Sequence, residues 1–189
     1  MGNEDLIKWN ARYAHEDYLM GEEPRGWLLC LKHLIPSQGR ALDLAAGEGQ
    51  NAVFLAQLGL EVDAIDISPI GLAKAESLAQ KHNVRIHTQR LDLEQAANPI
   101  CASSYHVIIC FRYMQRNLVP DIEAGLVAGG LAILELPCMK TLERRSLPSL
   151  RFLVEEGELL DWFPSLQTVY FDETWENDIF LSRLIVKKM

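Results

Sequence analysis

Arg40-Ala41-Leu42-Asp43-Leu44-Ala45-Ala46-Gly47-Glu48-Gly49-Gln50-Asn51 decides how this chain folds. Ala41 to Leu44 is a short apolar run of the kind that forms a buried strand. Gly47 and Gly49 make a turn, and a helix follows from Asn51. The acid Asp43 stands on the strand just ahead of the glycines. Turns that bind nicotinamide or flavin nucleotides normally carry no carboxylate there, because their backbone approaches an anionic pyrophosphate. Asp43 suits a ligand that has a positive charge or a free amine.

Outward from this stretch, strand and helix signals alternate, which marks a parallel sheet with helices on both faces. The helix of Asn51 to Leu58 closes at Gly59. Glu61 to Ile67 reads as a second strand. Ser68 and Pro69 open a helix that runs to about His82, as an N-cap followed by proline in the first turn. Val84 to Arg90 is expected as a third strand, and His106 to Phe111, apolar almost throughout, as a central fourth. Pro120 to Leu126 is expected to be helical, with a break at Gly129-Gly130 before a fifth strand, Leu131 to Leu136. Glu155 to Trp162 reads as a helix. Leu166 to Thr174 and Ile179 to Val186 read as an antiparallel hairpin. The expectation is an α/β, doubly wound, mostly parallel seven-stranded sheet in one domain, residues 1–189. Residues 1–39, with Trp9, Tyr13, Tyr18 and Trp27, form a helical lid over a core of residues 40–189.

Bulk properties narrow the function. The 189 residues suffice to bury roughly 70% of the extended chain's surface without staples. The formal net charge of −8 argues against a nucleic-acid partner, which a basic surface would serve. The densest basic stretch, Lys140 to Arg151, reads as a solvated loop. The four cysteines, at 30, 101, 110 and 138, lack the spacing of a zinc or redox motif, so no metal is expected. Cys30 and Cys110 lie in apolar runs and are expected to be buried free thiols, in keeping with a reducing cytoplasm. No signal core starts the chain, and Leu6 stands where a myristoylation signal needs Ser or Thr. No apolar run approaches the roughly 20 residues that span a bilayer, so no membrane partner is expected.

Two further acids strengthen the reading of the turn. Asp66 ends the second strand, where a carboxylate accepts from both hydroxyls of a ribose. Asp92 follows the third, where it can accept from the exocyclic amine of adenine, with the Leu93 amide nearby. Three acids at three successive strand ends are hard to explain as turn residues. They fit a cationic adenosyl ligand, and S-adenosylmethionine has a sulfonium and an ammonium.

The chain resembles the class I S-adenosylmethionine-dependent methyltransferases. The resemblance rests on Leu42 to Gly49, Val62 to Ser68, Leu91-Asp92-Leu93, Tyr105 to Cys110 and Gly129 to Glu135. Gly49-Gln50-Asn51 and the aromatic N-terminal segment are most similar to the tellurite-resistance and thiopurine methyltransferase-like branch. One departure is Ala45, which stands where the family has its first motif glycine. The resemblance implies a Rossmann-like fold and S-adenosylmethionine as cofactor. It puts Asp43, Gly47 and Gly49 at the methionine end, where Ala45 tightens the pocket, counts Asn51 among the cofactor-binding residues, and sets Asp66 on the ribose and Ile67 over the adenine. Asp92 and Leu93 read the adenine edge, Cys110 and Phe111 lie beneath the reactive end, and Arg12 or Tyr13 closes over the carboxylate.

Methyl transfer requires alignment of the nucleophile and exclusion of water, and needs a base only if the nucleophile must lose a proton. Nucleic-acid amino methyltransferases often carry Asn/Asp-Pro-Pro-aromatic after the fourth strand. This chain has Phe111-Arg112-Tyr113-Met114, which points to a small-molecule acceptor, soft or anionic. Arg112 would attract it and Tyr113 would orient it; the alternative is that Arg112 pairs with a neighbouring acid and Tyr113 only packs. His15 is expected on a helix surface, and His106 and Trp175 as structural. A non-catalytic S-adenosylmethionine-binding sensor or subunit is the competing function.

Overall fold

The computed structural model describes residues 2–113, 115–147 and 149–189. Met114, which ends the segment after the fourth strand, lies outside them. Seven strands form one sheet in the order β3-β2-β1-β4-β5-β7-β6, and the chain comprises two compact units, Met1–Pro99 and Ile100–Met189.

The first unit contains α1 (Gly2–Tyr13), α2 (Gly26–Cys30), β1 (Arg40–Leu44), α3 (Gln50–Gln57), β2 (Glu61–Asp66), α4 (Pro69–Lys81) and β3 (His87–Arg90). β1 pairs with β2, and β2 with β3, both in parallel. Residues 41 to 44 are all buried, as a strand covered on both faces requires. α3 ends where Gly59, at φ +104°, lies so close to the Ser37 carbonyl that no side chain would fit. Ser68 caps α4 by accepting from the Gly71 amide at 3.1 Å. β3 is shorter than the run from Val84 suggests. Val84 and Ile86 instead pack, half-buried, against Val53, Leu78 and Ala79 of α3 and α4. Cys30 ends α2 on an exposed face, so its expected burial is corrected. His15 lies beyond the end of α1 rather than on a helix.

The second unit contains β4 (Tyr105–Phe111), α5 (Val119–Gly125), β5 (Leu126–Pro137), β6 (Gln167–Glu176) and β7 (Ile179–Lys187). β4 and β5 are parallel; β5 and β7, and β7 and β6, are antiparallel. Asn177 and Asp178 both have positive φ, 49° and 60°, which is the turn geometry that closes a two-residue hairpin. Gly129-Gly130 does not precede β5 but lies within it. The Gly129 amide donates to the Lys188 carbonyl, and the Lys188 amide to Gly130, so strand pairing continues through the glycines. The expected helix of Glu155 to Trp162 is a single 3-10 turn, Glu158–Asp161, because Gly157 at φ +78° breaks helical geometry in its middle. No helix among the described residues is long and apolar enough to cross a membrane.

Candidate active site

The parallel order of β1, β2 and β3 brings Asp43, Asp66 and Asp92 to one end of these strands. Asp43 is 2% exposed, and its Oδ2 has no hydrogen-bond partner among the described residues. The Ala52 amide, in the first turn of α3, bonds its carboxyl. Burial pushes its pKa well above the usual carboxylate value, and the nearby Asp66 pushes it further. Asp66 is also buried. Its Oδ2 accepts from the Gly47 amide and its Oδ1 from the Ser68 amide, each at 2.8 Å. Burial raises its pKa too, although these amides and that of Ile67 oppose the rise. Each carboxylate oxygen has two acceptor positions, so Asp66 can still accept from a sugar hydroxyl.

The glycine turn has no room to spare. Gly49, at φ +83°, lies against the side chain and backbone of Ala75 on α4, where a Cβ would overlap. A Cβ on Gly47, at φ +57°, would stand 2.8 Å from the Tyr13 hydroxyl. Ala45 adopts φ +57°, a left-handed conformation that glycine takes freely and alanine does not. Its departure from the family pattern therefore acts on the backbone as well as on the space around it.

Tyr13 ends α1 and is buried between the turn and α4, its ring within 3.0 Å of where a Cβ on Gly71 would be. Burial, then Asp66 and Glu48, raise the pKa of its phenol, which stays a neutral donor. Trp9 stacks on Tyr13 at 5.4 Å, and the Arg12 guanidinium lies over Trp9 at 4.7 Å from the ring centre. Ser68 Oγ donates to Asn10 Oδ1 at 2.6 Å and so fastens α1 to the start of α4.

Other expected site residues already have local partners. Asn51 Oδ1 accepts from the Arg25 amide at 2.9 Å. Asp92 accepts from the Glu94 amide at 3.0 Å and shapes the turn after β3, with Leu93 buried beside it. Ile67 is half-buried. In the second unit Cys110 and Phe111 are buried at the end of β4. Arg112, at φ +64°, pairs through Nε with Glu135 at 3.1 Å. Tyr113 packs on Phe152 and accepts from Gln115 Nε2 at 2.8 Å. Trp175 meets Phe180 edge-on across the hairpin, ring centres 5.1 Å apart.

Sequence reasoning missed Glu48. It lies between the two turn glycines, 2% exposed, with Oε1 on Lys74 Nζ at 2.7 Å and Oε2 on the Leu19 amide at 2.8 Å. A charged residue enclosed by two glycines was the available signal, but its partners are 26 and 29 residues away.

Residues 41–128 match a family model described as a methyltransferase domain. Hemagglutinin 1 of Eikenella corrodens is 26% identical over 138 residues, 71% of this chain and 46% of that protein. TehB of Haemophilus influenzae, described as a probable S-adenosyl-L-methionine-dependent methyltransferase, is 26% identical over 153 residues, 74% of this chain and 50% of TehB. The crystal structure of TehB superposes with a TM-score of 0.73 at 18% identity, covering 88% of this chain and 63% of TehB. The chain thus spans about half the length of these curated relatives. Residues 41–128 thus match a methyltransferase domain, and the seven-stranded sheet has the fold of the class I S-adenosylmethionine-dependent methyltransferases to which the chain is similar. Within that class the chain is similar to TehB in both sequence and fold. The cofactor of the class fits the residues present: a buried carboxyl oxygen without a partner suits a cationic ligand, and side-chain-free glycines let the backbone approach it.

Proposed function

We propose that this chain binds S-adenosylmethionine at the ends of β1, β2 and β3 and transfers its methyl group to a small-molecule acceptor, soft or anionic. The unpartnered Oδ2 of buried Asp43 carries this reading, because such a group is destabilising until a donor or cation meets it. Asp43 would take the cationic methionine end, with Gly47 and Gly49 leaving room for it. Asp66 would accept from the ribose, while Asp92 and Leu93 read the adenine. Bound S-adenosylmethionine supplies an electrophilic methyl group on a sulfonium, already a good leaving group. Residues 1–39 serve as a lid that excludes water, with the Tyr13 hydroxyl against Gly47 of the turn. Arg112 and Tyr113, in the second unit, are the candidates for contact with the acceptor. The net charge of −8 favours a small acceptor over a nucleic acid, and the spacing of the four cysteines fits a reducing cytoplasm.

A non-catalytic S-adenosylmethionine-binding protein is the second reading. It is favoured by the internal partners of both acceptor candidates, Arg112 on Glu135 and Tyr113 on Phe152 and Gln115. Calorimetry with S-adenosylmethionine and NAD tests the cofactor. Labelled S-adenosylmethionine with thiols, selenite, tellurite and small acids then separates the two readings. Formation of S-adenosylhomocysteine with any of these acceptors supports catalysis; binding without turnover across the panel supports the sensor.

A further inference from the structure

Residues 14–25, between α1 and α2, form almost no regular structure, yet polar contacts fasten them to the glycine turn, α4 and α3. Leu19 donates its amide to Glu48 in the glycine turn. Lys74 of α4 pairs with Glu48, and its Nζ also donates to the Asp17 carbonyl at 2.7 Å. Tyr18 returns the contact, its hydroxyl donating to the Lys74 carbonyl at 3.0 Å with its ring under the Lys74 ammonium. At the far end of the strap, Arg25 donates its amide to Asn51 in the first turn of α3.

Glu48 stands at the centre of this arrangement. Its carboxylate is nearly as buried as that of Asp43, but both its oxygens are engaged. An acid in that state is destabilising if either partner is withdrawn. Displacement of the strap therefore leaves a poorly satisfied buried carboxylate between Gly47 and Gly49, the two residues whose backbone must hold its shape for a ligand. Conversely, a ligand that stabilises the turn favours the strap's closed position, because such coupling is reciprocal.

We infer that Glu48, with Lys74, is a positioning residue that latches residues 14–25 to the glycine turn, so that cofactor binding and closure of the strap promote each other. This inference rests on the proposed binding of S-adenosylmethionine at that turn. Glu48 acts through the strap and the turn, and touches no reacting atom.

Hydrogen exchange of the wild-type chain, with and without saturating S-adenosylmethionine, tests it directly. The expected result is at least roughly tenfold slower exchange at Leu19 and Arg25 in the bound state. Glu48→Gln should weaken S-adenosylmethionine binding by roughly tenfold or more, the effect of losing one charge-assisted hydrogen bond, and should remove most of that added protection. Tyr18→Phe leaves the buried pair in place and should shift both readings in the same direction by a smaller factor; it decides the matter if Glu48→Gln does not fold. Unchanged strap exchange in a wild-type chain that binds S-adenosylmethionine overturns the latch and leaves the methyltransferase reading intact. So does unaltered affinity in Glu48→Gln, or, where that variant does not fold, in Tyr18→Phe. Failure of the wild-type chain to bind S-adenosylmethionine overturns both.

Discussion

The Gly47 amide donates to Asp66 Oδ2 at 2.8 Å, so the acid that ends β2 supports the turn that follows β1. Asp66→Ala removes that support and the proposed ribose contact together. A charge-assisted hydrogen bond contributes about 1.5–3 kcal/mol, so S-adenosylmethionine affinity should fall roughly 10- to 150-fold. Titration calorimetry measures this, and wild-type affinity in the variant would remove Asp66 from the site.

Gly49→Ala should be among the most destabilising single changes in the first unit. The added methyl overlaps Ala75 and sits on a backbone at φ +83°. Overpacking and left-handed strain together come to about 2–5 kcal/mol. Urea denaturation reads the loss, and a change under 1 kcal/mol would contradict the close approach of turn and helix.

Asp43 should make stability fall as pH rises. In the folded chain it keeps its proton at pH values where the unfolded chain, with an ordinary value of about 4, has lost it. The folded state then binds more protons, so stability declines from about pH 4 up through the raised folded value. Asp66 contributes in the same direction. Denaturation between pH 5 and pH 8 should show a shallower decline for Asp43→Asn than for wild type, and parallel profiles would refute the assignment. A cationic ligand favours the ionised form, so cofactor binding should release protons in this range.

At position 45 two effects oppose each other. Ala45→Gly relieves left-handed strain of about 1–2 kcal/mol, but frees the unfolded chain by about 0.4–1 kcal/mol. The net change should be small, whereas Ala45→Val should destabilise by about 1–3 kcal/mol, since a β-branched residue tolerates this conformation least. Parallel urea titrations of the two variants check the contrast.

The order of elements from β1 to α4 was legible because its signals are local. Gly59 ends a helix, Ser68-Pro69 starts one, and the acids fall at strand ends. The departures come from distant contacts. Gly129-Gly130 reads as a break, yet pairing with Lys188 draws it into β5. Val84 and Ile86 have strand propensity but are packed by α3 and α4. Within the site, Asp43, Asp66 and the glycines were visible by spacing. Glu48 was not, because its partners are Leu19 and Lys74, which no local pattern links to it.

Glu135 is buried between two arginines, bonded by Arg112 Nε at 3.1 Å and Arg183 Nε at 2.8 Å. Glu135→Ala leaves Arg183 buried beside a vacated partner and should destabilise by about 3–5 kcal/mol. Thermal unfolding of the purified variant measures it, and a loss below 1 kcal/mol would show that solvent replaces the carboxylate.

β6 forms the rim of the sheet, and its pairing with β7 skips a residue between Thr168 and Tyr170. Rim strands invite recruitment by other chains, the first step toward fibrils, and an irregular step in the ladder spoils the flat template that recruitment needs. Val169, exposed at that step, is expected to oppose such recruitment. Its deletion, which would straighten the rim, should make concentrated solutions turn cloudy.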